Sequence, residues 1–247
     1  MYNIKKIISI SKKAGKAILE VRGTDFDVDY KADSSPLTKA DLASNKIIID
    51  SLKKLTPDIP LLSEETKEIA YDERKNWKLF WLIDPLDGTK EFVKKEGEFT
   101  VNIALIKNNM PILGVVYVPV KDILYYGDEK GSFKKENNQI TKLDPRAYTG
   151  KLRVVASKSH FNKETKEYIK KLGKEYELVN VGSSVKLCLV AEGKADIYPR
   201  LGPTMEWDTA AAHAVVMFAG KKVINYETNE ELLYNKENLL NPWFIVK

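Results

Sequence analysis

Five short apolar segments, each bounded by turn-forming or acidic residues, constrain the fold of this chain more than any other feature. They cover residues 59–63, 79–83, 100–106, 112–118 and 123–126. Segments this short and apolar, punctuated in this way, are typical of buried strands. The last three follow one another with only brief turns between them, which predicts an antiparallel meander. We therefore expect one sheet with helices packed against it.

Two helices are predicted ahead of the first of these strands. Apolar residues recur at helical spacing over residues 2–22, which indicates an amphipathic first helix. Thr38, followed three residues later by Asp41, has the spacing of a capping box. A second helix should therefore start there and end before Pro57.

The second half of the chain has the alternation typical of an α/β fold. After a polar link over residues 137–150, strand and helix are predicted to alternate over residues 152–156, 163–172, 178–181, 185–192 and 195–198. A very apolar helix from Thr209 to Ala219 should then follow, opened by Asp208 and closed by Gly220 at the C-cap position, with short strands near Ile224, Leu233 and Phe244 after it. We expect an α/β, layered α+β sandwich with an N-terminal unit over residues 1–140 and a C-terminal unit over residues 141–247.

Composition excludes several classes of protein. Forty Lys and Arg residues against 35 Asp and Glu give a net charge of +5, which is too mild to require a nucleic-acid partner. The lysine pairs at 134–135 and 170–171 are expected to be solvated. No stretch approaches the roughly 20 apolar residues that span a bilayer. A single cysteine, Cys188 in an apolar stretch, excludes an intramolecular disulfide, and we expect a cytoplasmic protein with a buried thiol.

The densest chemical signal is Asp-Pro-Leu-Asp-Gly-Thr over residues 84–89, directly after a predicted strand. One interpretation is an ordinary β-turn, because Asp, Pro and Gly are turn formers. In the other, Pro85 and Gly88 shape the backbone so that two carboxylates and a carbonyl face one site. Mg²⁺ needs only a few oxygen ligands of this kind and keeps several waters. With only two histidines in the chain, a zinc site built on imidazoles is disfavoured.

Other acidic residues near predicted strand or helix ends have structural interpretations as well. Glu64 and Glu65 at a strand exit are also compatible with solvated surface acids, and Asp208 ahead of an apolar helix is also compatible with an N-cap. Asp41 is also explained as a capping-box partner. Only the joint occurrence of these residues distinguishes a site from local structure.

Taken together, four segments resemble the inositol monophosphatase superfamily, and the resemblance covers nearly the whole chain. They read Ser-Pro-Leu-Thr-Lys-Ala-Asp over residues 35–41, Leu-Ser-Glu-Glu over 62–65, Trp-Leu-Ile-Asp-Pro-Leu-Asp-Gly-Thr-Lys-Glu-Phe over 81–92, and Glu-Trp-Asp-Thr-Ala-Ala over 206–211. The resemblance implies a layered fold with the site in the cleft between the two units, and a Mg²⁺-dependent phosphatase with two or three metal ions. The implied ligands are Glu64, Asp84 and the carbonyl of Leu86 for one ion, and Asp84, Asp87 and Asp208 for a second.

The resemblance also implies the catalytic residues Asp41, Thr89 and Glu64. A water activated by two ions would attack the phosphate, with Thr89 and Asp41 orienting and deprotonating it. Backbone N–H groups of Gly88 and Thr89 would bind the scissile phosphate at a helix start.

Residues 90–92, 156–160, 182–186 and 191–208 are similar to the branch of 3'(2'),5'-bisphosphate nucleotidases. The implied substrate-binding residues are Gly88, Thr89, His160, Ser183, Lys186, Arg200 and Asp208. The first hypothesis is therefore hydrolysis of 3'-phosphoadenosine 5'-phosphate. The alternatives are an inositol or sugar monophosphate phosphatase, or a non-catalytic nucleotide sensor. Either a monomer or a homodimer is expected.

Overall fold

The computed structural model describes residues 3–24, 28–30, 36–66, 69–95, 99–145, 150–156, 162–180 and 183–247. In chain order, the first elements are α1 (Ile4–Arg22), β1 (Val28–Tyr30), β2 (Pro36–Thr38), α2 (Lys39–Leu55), β3 (Leu61–Ser63), α3 (Tyr71–Arg74), β4 (Leu79–Asp87) and α4 (Thr89–Val93). They are followed by β5 (Thr100–Lys107), β6 (Met110–Val118), β7 (Ile123–Asp128), β8 (Gly131–Glu136) and β9 (Gln139–Lys142). The last elements are β10 (Leu152–Ala156), α5 (Lys163–Lys171), β11 (Tyr176–Asn180), α6 (Val185–Ala191), β12 (Tyr198–Arg200), α7 (Glu206–Phe218), β13 (Val223–Asn225) and β14 (Phe244–Val246).

Helices α1 and α2 pack together against one face of the large sheet. The Asn3 side chain caps α1, and Ile7 and Ile18 on its apolar side are fully buried. Helix α2 starts at the predicted capping box of Thr38 and Asp41. The predicted bounds of both helices are confirmed to within two residues.

The large sheet has seven strands in the order β3-β4-β5-β6-β7-β8-β9. Strands β3 and β4 are parallel, and every other neighbouring pair is antiparallel, which confirms the predicted meander. The prediction of a polar link over residues 137–150 is wrong for residues 139–142, which form β9. All four residues of β9 are exposed. This strand therefore lacks the buried alternate positions by which a strand is recognised in a sequence.

Two smaller sheets lie in the second half of the described chain, a parallel β10-β11 pair and an antiparallel sheet in the order β12-β14-β13. The strand predicted over residues 195–198 is displaced, because β12 covers Tyr198–Arg200. The N–H groups of Asp196 and Ile197 donate instead to the carbonyl of Arg153 in β10. The strand predicted near Leu233 is wrong, since this residue lies outside any strand.

Helix α7 packs against β5, β6 and β7, on the sheet face opposite α1 and α2. A Cβ atom on Gly114 of β6 would lie 2.1 Å from the carbonyl oxygen of Ala211, so this close approach requires glycine. The helix begins at Glu206 with Met205 as its N-cap. Asp208 is therefore in the first turn, and its interpretation as the N-cap is wrong.

The layers are thus α1 with α2, the seven-stranded sheet, α6 with α7, and the two smaller sheets, which confirms the layered α/β prediction. One core lies between α1, α2 and the sheet, and a second surrounds α6 and α7. The second core contains Leu82 and Val215, from both sides of residue 140. The division into two units at that position stays a prediction. Within the described residues, no helix combines the length and apolar character needed to cross a membrane.

Two predictions about individual side chains have opposite outcomes. Cys188 is fully buried, as expected. The lysine at position 134 is not solvated, because its ammonium group is buried in ion pairs of 2.8 Å with Glu136 and 2.9 Å with Glu192. The charge pattern of the sequence does not reveal that the end of α6, at Glu192, lies against Lys134 of β8.

Candidate active site

The face of the large sheet that packs on α6 and α7 ends in a polar patch. Along β4, Leu82 is buried in the core and Asp84 is the next residue on that face. Across the β4–β5 pair, Asn102 lies opposite Asp84 and Thr100 lies opposite Asp87, with an irregular register between the two pairs. Directly paired residues of antiparallel strands place their side chains on one face. The acidic motif therefore continues the strand and does not leave it as a free β-turn.

Carboxylates from three different elements meet at this patch. Because Ser63 of β3 pairs with Ile83 of the parallel strand β4, the next residues, Glu64 and Asp84, lie side by side. Asp208 reaches them from the first turn of α7, where the N–H of Met205 donates to its Oδ2 at 2.8 Å. One carboxylate oxygen from each of the three acids lies within 4.8 Å of the other two. We call Glu64, Asp84 and Asp208 the acidic cluster.

Burial and mutual repulsion raise the pKa values of Asp84 and Asp208. Burial, and then the carboxylates of Glu64, Asp87 and Asp208, raise the pKa of Asp84 well above its usual range. Asp208 has its pKa raised to about 8, first by burial and next by Asp87. A bound cation would remove this repulsion, so the cluster is a strong candidate for a cation site.

The chemistry of the donor set fits Mg²⁺. All three cluster members offer carboxylate oxygens, which hard divalent cations prefer to nitrogen or sulfur. The N–H of Leu86 donates to Asp84 Oδ1 at 3.0 Å and holds that carboxylate in place. The carbonyl of Leu86, predicted as a further ligand, contacts the hydroxyl of Thr89 at 3.2 Å and keeps a second lone pair for a cation.

The predicted catalytic pair lies next to this site. The Thr89 hydroxyl is 3.1 Å from Asp41 Oδ1, although 48 positions separate the two residues in the chain. Asp41 Oδ2 meanwhile accepts hydrogen bonds from the N–H and the hydroxyl of Thr38, at 2.8 and 2.6 Å. Burial raises the pKa of Asp41, and the bonds from Thr38 and Thr89 oppose that rise. The geometry of Asp41 is therefore compatible both with the capping box and with the predicted catalytic pair, because Oδ2 caps α2 and Oδ1 faces Thr89.

Asp87 lies near the acidic cluster but is not one of the three mutually close carboxylates that the described residues provide. Its Oδ2 accepts a 2.5 Å hydrogen bond from the N–H of Ser184 and lies 3.4 Å from the hydroxyl of Thr100. Burial raises the pKa of Asp87, and the nearby Lys186 ammonium opposes the rise. Asp87 thus links the cluster to the start of α6, and its role as ligand to a second ion stays a prediction.

Two predicted substrate residues lie at the start of α6. Ser183 has a left-handed backbone with φ of 46°, and its hydroxyl is buried without a hydrogen-bond partner among the described residues. The Nζ of Lys186 is 5.9 Å from the ring centre of Tyr198 and close enough to lower the pKa of Asp87. Next to Asp87, the start of α6 therefore has a cation and a hydroxyl that is unpaired within the described residues.

The remaining predicted substrate residues are distributed around the same site. Arg200 donates to the carbonyl of Pro203 at 2.7 Å, and its buried Nε has no partner within the described part of the chain. Its charge also lowers the pKa of Asp208. Gly88 has φ of 95° and is the N-cap of α4, which confirms the predicted helix start, and its binding of phosphate stays a prediction. His160 lies outside the described residues.

Sequence reasoning did not assign roles to three buried polar side chains that border the site. Asn102 and Thr100 lie on β5, in a segment interpreted only as an apolar strand, and Ser184, the N-cap of α6, lies between the assigned residues Ser183 and Lys186. Glu206, also buried, accepts hydrogen bonds from the N–H groups of Asn235 and Lys236 beside Asp208. A single polar residue within an apolar strand is the signal that could have identified Asn102.

A layered α/β fold with carboxylates at the end of β4 defines a class of metal-dependent phosphatases. The model of the inositol monophosphatase family matches residues 3–243. This chain belongs to the inositol monophosphatase family.

Relatives and solved structures agree with that assignment. The chain is 48% identical to the 3'(2'),5'-bisphosphate nucleotidase CysQ of Escherichia coli O6:H1, covering 98% of both chains. It is 36% identical to the protein of the same name from Haemophilus influenzae, with 98% of this chain and 91% of that protein covered. The crystal structure of CysQ from Bacteroides thetaiotaomicron, at 44% identity, superposes with a TM-score of 0.89 over 98% of this chain and 96% of that one.

Proposed function

We propose that this chain is a Mg²⁺-dependent 3'(2'),5'-bisphosphate nucleotidase that converts 3'-phosphoadenosine 5'-phosphate into adenosine 5'-phosphate and inorganic phosphate. The observation that carries the proposal is the acidic cluster beside the Thr89–Asp41 contact. The names of the relatives with 36–48% identity over nearly the whole chain support the choice of substrate.

The metal site of this proposal consists of the acidic cluster, with Asp87 and the carbonyl of Leu86 as further ligands. When bound there, Mg²⁺ would neutralise the carboxylates, polarise the phosphate and lower the pKa of a water molecule. Phosphoryl transfer requires mainly positioning and charge neutralisation from a protein. The chain therefore needs no covalent nucleophile of its own.

Thr89 and Asp41 are the proposed acceptors of the proton from the attacking water. As the water oxygen bonds to phosphorus, its proton passes to the Thr89 oxygen while the Thr89 proton passes to Asp41 Oδ1, 3.1 Å away. The bond from phosphorus to the ribose oxygen breaks, that oxygen takes up a proton from solvent water, and Asp41 returns its proton to solvent. The two hydrogen bonds from Thr38 hold Asp41 in position for this transfer.

The second phosphate of the substrate is proposed to lie at the start of α6. Lys186 supplies a cation there, and the buried Ser183 hydroxyl and the Arg200 Nε are polar groups without partners in the described region. His160 is proposed to complete this lining on the basis of the family resemblance. These groups favour a substrate with a second anionic phosphate over one that has an uncharged sugar ring at this position. A cytoplasmic location, supported by a single buried cysteine, is part of the proposal.

Phosphate release by the purified protein tests the proposal directly. The rates with 3'-phosphoadenosine 5'-phosphate, inositol 1-phosphate and fructose 1,6-bisphosphate are compared in Mg²⁺, with EDTA as the control. We expect a clear preference for the nucleotide and no release in EDTA. A preference for either sugar phosphate would keep the metal mechanism and overturn the substrate assignment. No release from any of the three would favour a nucleotide sensor.

A further inference from the structure

Asn102 is a buried polar residue on the β5 face that otherwise carries the apolar core. Ala104 and Ile106 follow it on that face and pack in the core, whereas Asn102 lies directly opposite Asp84. The side chain is 1% exposed. Burying an amide without strong compensation is costly, so its contacts require a functional explanation.

Asn102 is the first member of a chain of polar contacts that ends at Asp87. The side-chain Oδ1 of Asn102 is 2.9 Å from the hydroxyl of Ser184, and that hydroxyl is 2.8 Å from the hydroxyl of Thr100. Thr100 lies 3.4 Å from Asp87 Oδ2, which also accepts the N–H of Ser184. In this amide orientation, Asn102 Nδ2 has no partner in the described part of the chain.

The number of donor protons on Asn102, Ser184 and Thr100 decides the direction of each hydrogen bond among them. When Oδ1 of Asn102 faces Ser184, the Thr100 hydroxyl can donate its single proton either to the Ser184 hydroxyl or to Asp87, but not to both. The buried Nδ2 of Asn102 is then left without an acceptor in the described part of the chain. Rotating the amide by half a turn keeps the heavy-atom positions. One amide proton is then donated to Ser184, Ser184 donates to Thr100, and Thr100 donates to Asp87, so each of the two hydroxyl protons is used once.

We propose that Asn102 is a positioning residue whose amide, through Ser184 and Thr100, holds the substrate-binding start of α6 against the metal ligand Asp87. This inference rests on the proposed function, because Asp87 is its predicted metal ligand and residues 183–186 its predicted phosphate-binding segment. The consequence is coupling: the affinity for Mg²⁺ and the affinity for the second phosphate of the substrate depend on the same hydrogen bonds.

Thr100→Val interrupts these hydrogen bonds with almost no change in volume, and Thr100→Ser retains the hydroxyl as the matched control. We expect Thr100→Val and Asn102→Ala each to raise the Mg²⁺ concentration for half-maximal activity and the KM for 3'-phosphoadenosine 5'-phosphate about 5- to 20-fold. The KM for adenosine 3'-phosphate, which lacks the second phosphate, should change less. The double variant should be no worse than either single variant, because both substitutions interrupt the same chain of hydrogen bonds from Asn102 to Asp87.

Binding measurements separate this inference from the proposed function. The rise in melting temperature caused by Mg²⁺, and by adenosine 5'-phosphate together with Mg²⁺, needs no turnover. Both shifts should be smaller in Thr100→Val and normal in Thr100→Ser, even if the wild-type protein proves inactive on the bisphosphate. Additive effects in the double variant, or unchanged Mg²⁺ and nucleotide shifts in Thr100→Val, would show that Asn102 has no positioning role.

Discussion

At the scale of single residues, the acidic cluster keeps three carboxylates where they repel one another. Such an arrangement opposes folding unless a cation is bound, because each ionised group raises the cost of ionising its neighbours. The half-buried Glu192, by contrast, is stabilised by hydrogen bonds from Lys134 and Tyr125. The cluster therefore predicts distinct effects of substitution on stability and on activity.

Asp84→Asn should separate these two effects. Removing one charge relieves repulsion, while Asn Oδ1 can still accept the N–H of Leu86, so the melting temperature in EDTA should be unchanged or higher. Mg²⁺ should no longer raise it, and activity should fall by roughly 1000-fold or more, since a metal contributes several kcal/mol to transition-state stabilisation. The exposed Asp58→Asn is the matched control and should resemble wild type. A normal Mg²⁺ response in Asp84→Asn would remove this residue from the metal site.

Thr89→Val tests the proton path. Valine has nearly the same shape but no hydroxyl, so the contact with Asp41 is lost. We expect kcat to fall by about 10²- to 10⁴-fold, the range typical of general acid–base groups, with little change in KM. Thr89→Ser should recover most of the activity. Equal rates for the valine and serine variants would contradict the proposed role of the hydroxyl.

Lys186→Ala tests the second phosphate site. A charge-assisted contact is worth about 1.5–3 kcal/mol, which corresponds to a KM raised roughly 10- to 150-fold for 3'-phosphoadenosine 5'-phosphate, with a smaller effect on kcat. The exposed Lys163→Ala serves as the control. An unchanged KM would place Lys186 outside the substrate site.

At the scale of elements, the site depends on how closely α7 approaches the large sheet. Asp208 is carried by the first turn of α7, and the Gly114 contact lies further along the same helix. Protein interiors are close-packed, so a change at this contact is transmitted as strain.

Gly114→Ala should therefore destabilise the fold. Its Cβ would lie 2.1 Å from the Ala211 carbonyl oxygen and 2.7 Å from the Ala214 Cβ, and the helix must move away. Overpacking of this kind costs about 1–3 kcal/mol or more, which urea denaturation can measure. Gly23→Ala is the control, since the nearest atom to its added methyl would be 3.5 Å away. Equal stability of the two variants would show that α7 is less tightly seated than described.

At the scale of the whole molecule, a buried histidine couples global stability to pH. His213 of α7 is fully buried between Tyr234, 2.9 Å from its Nδ1, and Glu231, 3.2 Å from its Nε2. Burial lowers its pKa, against an opposing effect of Glu231. The unfolded chain, with a histidine pKa of about 6.5, therefore binds a proton at a higher pH than the folded protein does.

Stability attributable to His213 should consequently be complete above about pH 6.5 and decrease as the pH falls toward the lowered folded pKa. The free energy of unfolding of wild type and His213→Gln is compared between pH 7.5 and pH 5.5. We expect the difference between the two proteins to shrink toward acid pH. Parallel curves would show that the folded protein accommodates the protonated imidazole.

The sequence by itself determined the elements whose signals are local. The periodicity of α1, the capping box of α2 and the apolar strands of the meander are read directly because each depends on neighbours in the chain. Strand β9 escaped prediction because all of its residues are exposed, and the start of α7 was misplaced because its N-cap, Met205, is not a typical capping residue.

Only the tertiary structure decided which carboxylates meet and what holds them. The sequence positions of Glu64, Asp84 and Asp208 do not give the distances between their side chains in the folded protein. Family resemblance alone suggested that they share a site. Parallel pairing of β3 with β4 and the packing of α7 bring them within 4.8 Å of one another. The link from Asn102 to Asp87 through α6 was invisible in the sequence, because a buried hydrogen bond between distant segments leaves no periodic pattern.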